Sequence, residues 1–185
     1  MKRLSFKFQP CPESNDHEVR ILIDDEDVIG ESFLGPDPPS FFAQDFDADG
    51  ALMIGRCTCG VEGCDDFRVT VKHSEDEISW TSDYGVNVSF VRAHYVDTIA
   101  RARNDHSWED ANRTAERVAN GMLKQTKTKD GFEFDWASAR IGKSMITFSY
   151  SKNHEQKLLE VHWDGKVQSV EQSVKLFAKK NLIVE

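Results

Sequence analysis

Three of the chain's four cysteines stand within eight residues, in Cys57-Thr58-Cys59-Gly60-Val61-Glu62-Gly63-Cys64. Thiolate sulfur is the donor that soft and borderline metals prefer, and zinc takes it in sets of four or mixed with imidazole. Residues i and i+2 of an extended segment point to the same side, so Cys57 and Cys59 can face one ion. Gly60 and Gly63 free the backbone to turn and bring Cys64 back to it. A fourth donor must come from elsewhere. Cys11, His17 and His73 are the nearest in sequence, and His73, on the strand leaving the cluster, is the expected ligand. Zinc is the expected cofactor. The competing reading takes the same thiols as small buried hydrophobes in a glycine-rich turn. With no C-x-x-C present, a redox role ranks last.

A second motif precedes the first. Asp45-Phe46-Asp47-Ala48-Asp49-Gly50 matches the opening half of an EF-hand loop, with carboxylates at positions 1, 3 and 5 and glycine at 6. Position 12 is Arg56, a cation where calcium needs a bidentate carboxylate, so calcium is not expected and a turn with local Asx hydrogen bonds is. The six histidines are scattered, and no nucleophile elbow, phosphate loop, zinc-protease or deaminase pattern occurs. The expectation is a protein that is not an enzyme.

The elements that must position these residues read as α+β. Leu4-Phe6-Phe8 and Val19-Ile21-Ile23 alternate with polar neighbours at period two, and Leu52 to Ile54, Phe67-Val69-Val71 and Ile78-Trp80 resume the pattern. The cysteines therefore fall in the turn of a β-hairpin. Helical periodicity follows: Val91, Tyr95, Ile99 and Ala102 on one helix, then Trp108, Ala111, Ala115, Val118 and Met122 on a second with Ser107 as its N-cap. Strands at Met145 to Tyr150 and Leu158 to Trp163 form a C-terminal hairpin turning at Lys152 to His154, and a last helix spans about Val170 to Lys180. The architecture expected is an N-terminal antiparallel β meander, two central helices, and a C-terminal β-hairpin and helix. It reads as a single domain over 1–185, or as two lobes, 1–124 and 132–185, with the break near 124–131.

Charge is uneven. Residues 1–89 carry a net −12 and residues 90–185 a net +3, and nine carboxylates with no Lys or Arg lie between Asp24 and Asp49. Such a surface repels nucleic acid and attracts a basic protein. Asp24, Asp25, Asp27, Asp45 and Asp47 are the expected contacts, with Phe41 and Phe42 beside the Gly35 to Pro39 loop as apolar anchors. The bland alternative is a solvated acidic loop that keeps the protein soluble. No run approaches the roughly 18 apolar residues of a membrane helix, and no apolar signal-peptide core follows Met1-Lys2-Arg3. A cytoplasmic protein is expected, its thiols reduced.

Cys57-Thr58-Cys59-Gly60 through Cys64, followed by Asp65-Asp66-Phe67, resembles the post-SET zinc motif of protein lysine methyltransferases, in which three cysteines join a fourth from the SET domain. The resemblance covers residues 57–67 alone and implies metal-binding geometry rather than methyl transfer, because no Asn-His-Ser-Cys cofactor segment lies upstream. In general character the chain is also similar to the immunity proteins of bacterial toxin systems. That similarity implies a non-enzymatic acidic protein docking onto a basic partner through its N-terminal half. The alternative is a zinc-stabilised enzyme or regulatory domain built on the Cys57/Cys59/Cys64 knuckle.

Overall fold

The computed structural model describes residues 1–11, 15–59 and 63–183. Among them are four α-helices and eleven strands in three antiparallel sheets, with the N-terminal meander, central helices and C-terminal hairpin and helix that the sequence pattern predicts. The chain forms two compact units, Met1–Trp108 and Glu109–Glu185, each around its own apolar core. Among the described residues no helix is long and apolar enough to cross a membrane.

In the first unit β1 (Leu4–Cys11), β2 (Asp16–Ile23) and β3 (Glu26–Asp27) make one sheet. Asp24 and Asp25, at φ +52° and +69°, make the two-residue turn between β2 and β3, a left-handed backbone that Asp tolerates better than most residues. Both acids therefore have a local reason to be there. Arg20 is buried in β2, and its guanidinium meets Asp27 at 2.7 Å and the carbonyls of Phe33 and Gly30. A short helix α1 (Pro38–Phe42) then packs Phe41 and Phe42 edge-on against Phe6.

The second sheet of this unit runs in chain order: β4 (Phe33–Leu34), β5 (Gly50–Cys57), β6 (Phe67–His73), β7 (Glu77–Thr81) and β8 (Asn87–Val91). β6 shows why it is a half-buried strand: Phe67, Val69 and Val71 point inward, while Arg68, Thr70 and Lys72 point out. The ladder between β5 and β6 slips between Met53 and Gly55. At Gly55 a Cβ would stand 3.1 Å from the Cβ atoms of both Phe33 and Phe67, so any other residue would make these neighbours give by a few tenths of an ångström, and glycine lets β4 and β6 pack closely on β5. Helix α2 (Arg92–Arg103) follows β8 directly and buries Tyr95 and Ile99, with Tyr95 packed on Trp80 and Phe90.

The second unit places α3 (Ala111–Leu123) ahead of a sheet of β9 (Glu133–Ser138), β10 (Met145–Lys152) and β11 (Glu155–His162) with β10 central, and α4 (Val167–Asn181) closes the chain. Asn153 and His154, both at positive φ, make the two-residue turn expected between β10 and β11. The cap of α3 is Asp110 rather than Ser107: the Asp110 carboxylate accepts the Arg113 N–H at 2.8 Å, while the Ser107 N–H is taken up by Asp105. The buried face of α3 includes Glu116, which accepts hydrogen bonds from Arg113, Ser138, Ala139 and Arg140.

Candidate metal centre

β5 ends at Cys57 and β6 begins at Phe67, so the connection between two paired strands carries the remaining cysteines. Gly60, Val61 and Glu62 lie outside the described residues. On either side of them the sulfurs of Cys57, Cys59 and Cys64 all lie within 4.8 Å of one another. Cys57 is half-buried at the strand end, and Cys59 and Cys64 are exposed. The Cys59 N–H donates to Cys57 Sγ at 3.5 Å, which ties the first two cysteines of the turn together.

The returning arm is fixed by its own hydrogen bonds. Gly63 sits at φ +81°, the left-handed conformation that glycine adopts without strain, and its N–H donates to Asp66 Oδ1 at 2.9 Å. That bond, with Arg68 on the other oxygen at 2.7 Å, holds the Asp66 carboxyl below the usual carboxylate range. Asp65 accepts the Tyr84 hydroxyl at 2.8 Å. The hydrogen bond shared with Cys59, then that with Cys57 and the charges of both neighbours, push the Cys64 thiol up to about 11. Crowded thiols resist losing their protons together, and a bound cation removes that resistance. Three soft sulfurs are a donor set that fits a metal ion of the soft or borderline class.

The structure does not bring His73 to this cluster. It ends β6, six residues beyond Phe67, which at about 3.3 Å per residue puts it roughly 20 Å along the strand. Its ring nitrogens lie 3.1 Å from Asp49 Oδ1 and 3.2 Å from the Phe46 carbonyl oxygen, so both already face oxygen partners. Cys11 ends β1 opposite Asp16, and the His17 ring packs on Trp108 at 5.2 Å, so neither joins the three sulfurs.

No protein-family model, curated protein or solved structure matches the chain. Its chemistry is therefore read from its own residues.

The residues expected to bind a partner are scattered in role. Asp24 is paired with Lys2 at 2.7 Å, Asp25 with Arg3, and Asp27 with Arg20. The Lys2 hydrogen bond, backed by the Arg3 N–H, holds the Asp24 carboxyl below its usual range. Phe41 is fully buried and Phe42 half-buried in the aromatic cluster with Phe6 and Phe46, because α1 lays both rings onto the core rather than outward. Asp45 and Asp47 are exposed, apart from the Asx turn in which Asp45 accepts the Asp47 N–H. Asp49, third carboxylate of the EF-hand-like segment, instead accepts the His73 N–H at 2.7 Å. Tyr84 and Asp66 were not expected at the knuckle. Asp66 is held by neighbours two and three residues away, Arg68 and Gly63, whereas the partners of Tyr84 become visible only once the strands are stacked in register.

Proposed function

We propose that this protein is a zinc-stabilised, non-catalytic binding module whose metal is held by Cys57, Cys59 and Cys64 at the turn between β5 and β6. The observation that carries the reading is the convergence of three sulfurs within 4.8 Å on a turn where two of them are exposed. Exposure weighs against the alternative of small buried hydrophobes, since a thiol in water gains nothing from apolar packing. Zinc there would cross-link the two arms of a glycine-rich turn. The likeness of residues 57–67 to the post-SET motif extends only to how three cysteines are spaced. Elemental analysis of the untagged protein tests the reading. About one zinc per chain is expected, and none in a Cys57→Ser/Cys64→Ser variant; a wild type that stays metal-free after zinc incubation and desalting refutes it.

A second reading, docking of a basic protein onto the first unit, is supported by charge. Residues 1–108 hold 21 acids against 10 Lys and Arg, a net −11. Because Asp24, Asp25 and Asp27 are already neutralised by neighbours, the docking face centres on the exposed Asp45 and Asp47, and an immunity-like hold on a nuclease toxin is one such partnership. Binding to an immobilised oligo-lysine peptide should weaken with salt and with Asp45→Asn/Asp47→Asn. The isoelectric control Asp24→Asn/Asp25→Asn should have the smaller effect; equal effects would remove the local basis of this reading.

A further inference from the structure

Tyr84 is nearly half exposed, at 49%, yet it is not a loose surface ring. It sits in the turn between β7 and β8, which is closed by the Ser82 N–H to Val86 O at 2.9 Å and by the Val86 N–H to the Ser82 hydroxyl at 3.2 Å. From there the ring lies over Phe67 at 4.6 Å between centroids and meets Phe33 edge-on at 5.2 Å. Its hydroxyl donates to Asp65 Oδ1 at 2.8 Å. Those three partners flank the cysteines. Phe33 is the residue paired with Cys57 across β4 and β5, Asp65 directly follows Cys64, and Phe67 begins the strand that the Cys64 arm leads into. One side chain from a separate turn thus touches the neighbours of both arms of the knuckle.

We propose that Tyr84, acting through Asp65, is a positioning residue of the three-thiol centre: it latches the Cys64 arm beside the Cys57 arm and so sets how fast a metal leaves. The inference rests on the zinc reading above for its metal consequence, while the latch itself is a property of the protein alone. Outer partners of this kind act by restricting the motion of the groups that carry the ligands. The neighbouring Asp66 restrains the same arm from inside through the Gly63 N–H, so the latch is the part of the restraint that comes from outside the loop.

Tyr84→Phe is the clean test, because it keeps both ring contacts and removes only the hydroxyl. Zinc transfer from the loaded full-length protein to a chromogenic chelator should become about 3- to 10-fold faster. Asp65→Ala should produce a similar change, and the double variant should be no faster than the faster single, since both remove one bond. The visible spectrum of the cobalt-substituted protein should shift in Tyr84→Phe, while the metal-free variant melts with the wild type, an outcome that a general loss of stability would not give. Equal transfer rates, or single effects that multiply in the double variant, overturn the inference.

A metal-independent arm separates the two proposals. In metal-free protein the oxidant diamide takes up two hydrogens from two thiols as their sulfurs join, and Tyr84→Phe should slow that closure within the triad. Slower closure in a protein that never takes up zinc overturns the metal reading and keeps the latch. Unchanged closure and unchanged zinc release in a protein that does bind zinc overturn the latch alone.

Discussion

Acidification from pH 7.5 to 6.5 separates a three-thiolate metal centre from a chance gathering of thiols. Metals bind the thiolate, so each ligand protonated in the metal-free protein releases its proton on binding. An ordinary thiol keeps its proton up to about pH 8.5, and the Cys64 thiol is pushed up to about 11, first by its hydrogen bond with Cys59 and then by Cys57. At neutral pH the free site therefore holds protons that the loaded site lacks. Three ligands mean up to three protons expelled per ion, so the apparent affinity should fall with each unit of acidification by up to about a thousandfold. The sign follows from the raised value: binding, and any stability it confers, strengthens as pH rises and levels off only as the thiols ionise unaided. Zinc competition against a chelator of known pH dependence measures the slope. Calorimetry in two buffers of different protonation heat counts the protons independently. An affinity that does not change with pH would refute the assignment, because the Cys64 thiol must give up its proton before Cys57, Cys59 and Cys64 can hold an ion together.

Chelation should lower the thermal midpoint of the full chain. Zinc present at about 100 times its dissociation constant adds about 2.7 kcal/mol, which for a chain of this size corresponds to roughly 5 to 10 °C, and Cys11→Ser should leave that difference intact. Phe41→Ala empties a fully buried aromatic site and should cost about 3–5 kcal/mol in urea unfolding. Glu116→Ala removes the buried carboxylate that accepts from Arg113, Ser138, Ala139 and Arg140. A loss of about 3–5 kcal/mol is expected from breaking that buried network, and a change below about 1 kcal/mol would show that the carboxylate adds little to the fold.

Much of the fold is legible where one side of an element is wet. Phe67, Val69 and Val71 announce β6, and Asn153-His154 announces the turn before β11, because alternation and turn chemistry are local. β9 has no such signature. Trp136 stays partly exposed and Asp135 finds its partners on Ser149 and Ser151, so the strand makes sense only beside β10. The last residue of β8, Val91, reads as the onset of α2 because the helix starts immediately after it. On α3 the expected stripe of Trp108, Ala111, Ala115, Val118 and Met122 is met in part: Ala115 is buried and Val118 and Met122 pack against the core, while Trp108 precedes the helix and Ala111 is exposed. The buried face runs through Ala115, Ala119 and Leu123 and takes in Arg113 and Glu116, a satisfied charge network that hydropathy counts as surface. At the knuckle, spacing was enough to find three sulfurs, since all three stand within eight residues of one another. Spacing misdirects the fourth donor to His73, because nearness along a strand becomes distance in space.

Gly55 has a bearing on any attempt to move this turn to another protein. The excised segment 55–68 would contain the cluster's three sulfurs, yet its first residue comes from a place where Phe33 and Phe67 stand 3.1 Å from any added Cβ. A host hairpin with a bulkier residue two places before the first cysteine would have to push such flanking side chains aside at the strand end. A graft of the three sulfurs is therefore best made with that glycine kept and with room for an aromatic ring on either side.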